Sequence, residues 1–165
     1  MREFNWAHGE EDICVNAAIS WSKPVTHDML NDGLVESDET AYFYAIIALV
    51  DGEWWSFYFG KVFKQCVSER NSNLDHIERM SRLKEKHPDL TWHLTLGTPE
   101  IKGGNLTASH IDLLESLLIY SHWHDEIINI KKVESFECAK SIQIENTGFA
   151  APFYTKVGCG VFVSE

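Results

Sequence analysis

The sequence predicts an α+β fold, with a small central antiparallel or mixed sheet flanked by helices and a β-rich C-terminal tail. Three features predict it: an apolar run that leads into a turn and an aromatic segment, two stretches with helical periodicity, and β-prone segments near the C terminus. The 165 residues suit a single domain. We expect a core over residues 41–130, an N-terminal extension over 1–40 packed on it, and a C-terminal β extension over 131–165.

The first predicted element of the core is a β-hairpin. Residues 41–50 form a nearly continuous apolar run, which is typical of a strand buried on both faces. The Asp51-Gly52 step that follows favours a tight turn between antiparallel strands. Residues 54–60 are aromatic and β-prone, so they supply the second strand. Upstream, residues 12–21 are compatible with a strand or a short helix.

A helix is predicted after the hairpin. Apolar residues recur every three positions from Leu74 to Leu83 and form one stripe. Ser72 or Asn73 can cap its start, and Pro88 ends it.

A third strand and a second helix follow. Residues 90–96 alternate enough to form the strand, and residues 97–105, which contain a Gly-Gly step, predict a loop. Thr107 or Ser109 can cap a second helix that runs to about Trp123.

The C-terminal part combines a short third helix with two β segments. These segments are residues 141–145 and 157–163, and Asn146-Thr147-Gly148 is predicted to separate them.

The charge distribution bears on the choice of partner. The net charge of −11 counts against tight non-specific binding to DNA, because Lys and Arg must neutralise phosphates. Residues 61–86 hold seven basic and four acidic side chains, so this segment carries +3 and the remainder −14. Either a local basic face or an ordinary solvated helix surface accounts for this pattern.

Cysteines and hydropathy indicate an intracellular protein. Cys14, Cys66, Cys138 and Cys159 form no CxxC pair, so we interpret them as reduced thiols. No apolar run approaches the roughly 18 residues of a membrane span. We therefore expect a cytoplasmic protein with no membrane partner.

Two positions stand out as candidates for chemistry. Gly60, just past a strand, lets a backbone turn sharply or approach a ligand closely, and Lys61 beside it could hold a phosphate; an ordinary strand end is the alternative. Glu115 has apolar neighbours one turn away on both sides, so its carboxylate lies on or beside the buried stripe of its helix. Such a group needs a cation, a metal or hydrogen-bond donors, and a scaffolding pair with an Arg would also satisfy it.

His122-Trp123-His124-Asp125 invites a metal interpretation, because two imidazoles two apart resemble a ligand pair. Glu126 stands where the usual metallo-hydrolase run has a histidine. We therefore expect structural or surface roles for these histidines.

Taken in order, these residues resemble the motifs of the GIY-YIG nuclease family. Its members carry Gly-Ile-Tyr on one strand, Tyr-Ile-Gly on the next, then an Arg, a Glu on a later helix and an Asn. Tyr42-Phe43-Tyr44 stands for the first motif, with Tyr42 in place of the glycine, and Tyr58-Phe59-Gly60 for the second. Residues 115–120 resemble the family's Glu-x-x-Leu-Ile segment, Asn129 follows close to the family's asparagine, and residues 144–148 resemble a tail of some stand-alone members.

The resemblance implies hydrolysis of DNA phosphodiesters with one Mg²⁺ or Mn²⁺ ion. Glu115 would be the metal ligand, and Arg70 would pair with the pentavalent phosphate. Tyr44 would act as general base or position the water, Tyr58 would orient it, and His76 is an alternative proton acceptor.

The implied substrate-binding residues are Gly60, Lys61, Lys64 and Asn129. Asn129 would hold local backbone or a helix end, and Asn146 is the less favoured candidate for that asparagine.

Other functions and roles remain open. A catalytically inactive binding or regulatory module with the same fold suits the acidic charge, and an enzyme for a small phosphodiester is a third hypothesis. Tyr44 and Tyr58 could be sheet aromatics, and Arg70 a surface ion-pair partner. The tryptophans could serve a homodimer contact, although core packing is the favoured use.

Overall fold

The computed structural model describes residues 15–28, 42–62, 73–129, 141–158 and 161–163. Ten elements lie in these ranges: β1 (Val15–Trp21), β2 (Val25–Thr26), β3 (Phe43–Val50), β4 (Glu53–Lys61), α1 (Leu74–Lys86), β5 (Trp92–Ile101), α2 (Ala108–Ser121), β6 (Ile142–Gly148), β7 (Lys156–Gly158) and β8 (Val161–Val163). Neither described helix is long and apolar enough to cross a membrane.

The strands form one mixed sheet in the order β4-β3-β5-β1-β6-β7-β8, and β2 pairs with β5. The β1–β6 pair is parallel, and the other pairs are antiparallel. The predicted α+β class and mixed sheet are confirmed.

The predicted hairpin is present. β3 and β4 pair in antiparallel fashion across Asp51 and Gly52, whose φ angles are 51° and 87°. Both values are positive, as in the tight turn that suits the twist of paired strands. β3 is buried on both faces from Phe43 to Ala48, as its apolar run predicts.

The sheet is larger than the sequence predicts. β1, from residues 1–40, lies between β5 and β6, so strands from all three predicted segments share one sheet. The loop predicted from residue 97 is wrong up to Ile101, because β5 continues there to pair with β1. Asn146-Thr147-Gly148 belongs to β6 rather than separating two segments, because each of these residues pairs with β1.

Both predicted long helices are present; the Thr107 side chain caps the second, whereas the Asn73 side chain makes no capping hydrogen bond at the start of the first. α1 follows Asn73 and ends before Pro88. α2 follows Thr107, whose side chain accepts a hydrogen bond from the backbone N–H of His110 at 3.2 Å. Residues 122–129 contain no helix, and residues 130–140 lie outside the described ranges.

The two helices cover opposite faces of the sheet. Ile111, Leu114 and Leu118 of α2 pack with alternate residues of β3, such as Phe43 and Ala45. The intervening β3 residues face the other way, because successive strand side chains alternate. On that face, Met80 and Leu83 of α1 pack with Ile46, Ala48 and Trp92.

Candidate functional site

The hairpin brings the two candidate tyrosines together on the α1 face. Tyr44 lies opposite Gly60 in the β3–β4 register, and Ile46 lies opposite Tyr58. Tyr44 and Tyr58 are therefore diagonal neighbours, with ring centroids 5.9 Å apart. A Cβ on Gly60 would stand 2.5 Å from the Tyr44 hydroxyl oxygen and closer still to two ring carbons. Gly60 thus provides the space that the Tyr44 ring fills.

His76 of α1 completes this group together with a histidine that follows β2. The His76 ring contacts Tyr44 edge-on, with centroids 6.0 Å apart. Its Nε2 lies 3.0 Å from Nε2 of His27, and both histidines are buried. We call Tyr44, Tyr58, His76 and His27 the tyrosine–histidine cluster.

Charged side chains border this cluster. Nδ1 of His27 lies 3.7 Å from Oδ1 of Asp28, and Nζ of Lys84 lies 3.8 Å from the same oxygen. Burial lowers the pKa of His27 below its usual 6.5; Lys84 adds to this effect, and Asp28 opposes it. The Arg79 guanidinium lies 3.9 Å from the centre of the Tyr58 ring, a cation–π contact.

A second group lies on the α2 face. The Lys61 ammonium forms an ion pair with Asp112, and its Nζ lies 3.4 Å from Oε2 of Glu115. Glu115 is only 9% exposed, as the apolar pattern of its helix predicts, whereas the Asp112 side chain is largely exposed. Asp112 and Glu115 lie three residues apart on α2, and both contact the Lys61 ammonium. We call these two residues the carboxylate pair.

The two groups meet at the last residues of β4. Gly60 faces the tyrosine–histidine cluster, and Lys61, the next residue, faces the carboxylate pair. The structure thus brings Tyr44, Tyr58 and His76 together on one face of the sheet, and Lys61 and Glu115 together on the other.

Asn129 binds the backbone of β4, which is the edge strand. Its side-chain Oδ1 accepts from the Phe59 N–H at 2.9 Å, and its Nδ2 donates to the Phe59 carbonyl at 2.9 Å. Ile128 N–H donates to the Phe57 carbonyl at 2.8 Å, and His124 Nε2 donates to the Ser56 carbonyl at 2.6 Å. Residues 124–129 therefore cover the edge just before Gly60 and Lys61.

His122 and His124 have structural partners on both ring nitrogens. Nδ1 of His122 donates to the Leu118 carbonyl at 2.9 Å, and its Nε2 accepts from the Tyr154 N–H at 2.9 Å. Burial lowers the pKa of His122 to about 4, so this ring is neutral at physiological pH. Nδ1 of His124 accepts from the Glu126 N–H at 3.2 Å. Asn146, the less favoured asparagine, accepts from Trp21 Nε1 at 2.9 Å and is buried.

Some candidate residues lie outside the described ranges. These are Lys64, Arg70 and the cysteines at positions 14, 66, 138 and 159.

The described residues contain no cluster of three or more His, Cys, Asp or Glu side chains arranged to hold a metal. The carboxylate pair nevertheless offers the oxygen donors that Mg²⁺ and Mn²⁺ prefer. Mg²⁺ is commonly bound by one or two carboxylates together with water and substrate phosphates, so the carboxylate pair offers the type and number of protein ligands that this ion uses.

Two members of these groups, Asp112 and His27, were not predicted as site residues from the sequence, and neither were the bordering residues Asp28, Arg79 and Lys84. Asp112 could have been found, because positions three apart on a helix share a face. His27 and Arg79 had no such signal, since their contacts depend on how β2 and α1 meet the hairpin.

Comparison with protein-family models, with curated proteins and with solved structures finds no match to this chain.

Proposed function

We propose that this chain hydrolyses DNA phosphodiesters with the help of Mg²⁺ or Mn²⁺ bound by Glu115, in the manner of the GIY-YIG nucleases it resembles. The observation that carries the proposal is the contact of Lys61 with Asp112 and Glu115 at the end of β4. Through this contact the Lys61 ammonium, a group that can bind phosphate, lies with two carboxylates, which are hard oxygen ligands. Gly60 precedes Lys61 and faces Tyr44 on the opposite side of the sheet.

The contact of the Lys61 ammonium with Glu115 supports a site for a divalent cation beside this carboxylate. A buried carboxylate is costly unless a positive charge or donors compensate it, and Lys61 provides that charge for Glu115. If phosphate oxygens attracted the Lys61 ammonium, Asp112 and Glu115 would be the residues that hold a divalent ion in its place. The chemistry that such an ion supplies is polarisation of the phosphate and stabilisation of the leaving oxygen.

The tyrosine–histidine cluster supplies the proton chemistry in this proposal. Tyr44 or His76 accepts the proton of the attacking water, and Tyr58 orients that water. The planar guanidinium of Arg70 would pair with two phosphate oxygens in the transition state.

A specific observation favours the second candidate, a non-catalytic binding or regulatory module. Tyr44 is only 1% exposed, and the candidate residues divide between two faces of the sheet. Lys61 also already compensates both carboxylates. In that case the ion pair is scaffolding that holds α2 against β4.

Cleavage assays separate the two candidates. Supercoiled plasmid and a short duplex are incubated with the protein and Mg²⁺, Mn²⁺ or EDTA, and bis(p-nitrophenyl) phosphate tests a small diester. The variants are Glu115→Gln and Arg70→Ala, and the matched control is Glu100→Gln, which removes an exposed carboxylate on β5. Metal-dependent nicking that is lost in both variants but kept in the control supports the nuclease. A folded wild type that cleaves none of these substrates favours the binding module.

A further inference from the structure

Asp28, His27 and His76 form a chain of contacts that ends beside Tyr44. Oδ1 of Asp28 lies 3.7 Å from Nδ1 of His27, and the two Nε2 atoms of His27 and His76 lie 3.0 Å apart. The two rings are nearly parallel, with an interplanar angle of 17°. This places a carboxylate and two imidazoles in series at one side of the proposed site.

The short contact between the two histidines constrains their protons. Two neutral imidazoles can form an N–H···N hydrogen bond only if one Nε2 carries a proton and the other offers a lone pair. The rings must therefore adopt opposite tautomers: one is protonated at Nε2, and the other at Nδ1.

The position of Asp28 favours one of these two tautomer arrangements. The negative charge of its largely exposed carboxylate, 3.7 Å from Nδ1 of His27, favours a proton on that nitrogen. Burial lowers the pKa of His27, and Lys84, whose Nζ lies 3.8 Å from Oδ1 of Asp28, adds to this effect, so both disfavour a positive charge on this ring. His27 then offers a lone pair at Nε2, and His76 must carry its proton at Nε2.

We propose that His27 is a positioning residue that fixes His76 as the Nε2–H tautomer, so that Nδ1 is the proton-accepting atom of His76 beside Tyr44. His27 and Asp28 thereby act on the cluster through His76 and do not themselves touch substrate. The catalytic use of this acceptor rests on the proposed function, whereas the tautomer itself does not.

Histidine-ring NMR tests the proposal independently of activity. In protein labelled with ¹⁵N-histidine, ring nitrogen shifts report the tautomer, and a scalar coupling across the N–H···N bond reports the pairing. At neutral pH we expect His27 protonated at Nδ1, His76 protonated at Nε2, and a coupling between their Nε2 atoms. A His76 ring protonated at Nδ1 would overturn the proposal.

Two variants test the cause. His27→Leu removes the partner ring and Asp28→Ala removes the bias, so each should convert His76 into a mixture of tautomers. Asp89→Ala, an exposed carboxylate after α1, is the control. His122 lies on the opposite face, and its unchanged signals show that a variant is folded. If His27→Leu perturbs the fold, Asp28→Ala still decides. A His76 tautomer that stays the same in folded Asp28→Ala contradicts the role of Asp28.

Plasmid cleavage then connects the tautomer to function. If the wild type nicks DNA, His27→Leu should reduce the rate about tenfold or more, as expected for weakened general-base catalysis. If the wild type does not nick DNA, the proposed function fails while the NMR result on His27 and His76 stands.

Discussion

Gly60 lies directly across the β3–β4 pair from Tyr44, and the Tyr44 ring fills the space that a side chain at position 60 would need. The glycine of the second motif is thereby coupled to Tyr44 of the first. This coupling is a packing requirement, whatever chemistry the tyrosine performs.

Gly60→Ala should destabilise the protein by about 1–3 kcal/mol, the usual cost of overpacking a core. The added Cβ would stand 2.5 Å from the Tyr44 hydroxyl and force the ring to move. Urea unfolding measures the change. Gly104→Ala is the control, because its nearest neighbour would be Ile101 Cγ2 at 3.6 Å. Equal stability of the two variants would contradict the coupling.

Asn129→Ala should cost about 1–3 kcal/mol of stability, because the backbone N–H and carbonyl of Phe59 each lose a hydrogen-bond partner. Hydrogen exchange at the Phe59 amide should accelerate, since this amide belongs to the edge strand. Asn105→Ala, at an exposed position before α2, is the control. Unchanged exchange at Phe59 would show that Asn129 does not protect the edge.

Local signals explain why part of the fold was predictable. The positive φ angles that Asp51-Gly52 readily adopts marked the hairpin, and Asn73 and Thr107, residue types that favour the position before a helix, marked the starts of both helices. The parallel pairing of β1 with β6 joins residues such as Trp21 and Gly148, far apart in sequence, and no local pattern encodes it.

Gly97 shows how a glycine inside a strand can be mistaken for the start of a loop. The sequence predicts a loop from Gly97, yet this residue lies within β5. A Cβ there would stand 2.9 Å from the Trp21 ring, so the missing side chain makes room for that tryptophan. A glycine that accommodates a distant aromatic ring cannot be distinguished from a turn signal by sequence alone.

The alternation of side chains along a strand predicts which face of the sheet each β4 residue of the site occupies. It does not predict the contacts that the site makes with distant elements. Alternation alone puts Tyr58 and Gly60 on one face and Lys61 on the other. The His27–His76 contact depends on β2 lying beside β5, which no motif indicated.

Lowering the pH from about 6.5 to about 4 should reduce stability through His122. Its pKa falls from 6.5 to about 4 on folding, so the unfolded chain binds the proton more tightly. The contribution is complete above about pH 6.5 and is lost as pH falls through 4; its size is on the order of 3 kcal/mol.

Urea unfolding of the wild type and of His122→Gln between pH 7 and pH 4 measures this contribution. The difference between the two proteins isolates His122 from the other titrating groups. A difference that does not vary with pH would contradict the neutral, buried ring.

Lys61→Met should strengthen Mn²⁺ binding about tenfold, or ~1.4 kcal/mol, because the ammonium no longer competes for Asp112 and Glu115. Electron paramagnetic resonance titration of free Mn²⁺ measures the affinity. Lys102→Met is the matched control, since Lys102 pairs with Glu145 at 3.0 Å on the surface. If the double variant Lys61→Met/Glu115→Gln still binds Mn²⁺ more tightly than the wild type, Glu115 does not hold the ion.

The decisive comparison is the rate at which Glu115→Gln and Glu100→Gln nick supercoiled plasmid in Mn²⁺. If Glu115 holds the metal, its variant should lose roughly 100-fold or more in rate, as expected when a catalytic metal site is dismantled, while Glu100→Gln keeps the wild-type rate. Equal nicking by the two variants, or none by the wild type, would contradict a metal-dependent nuclease centred on Glu115.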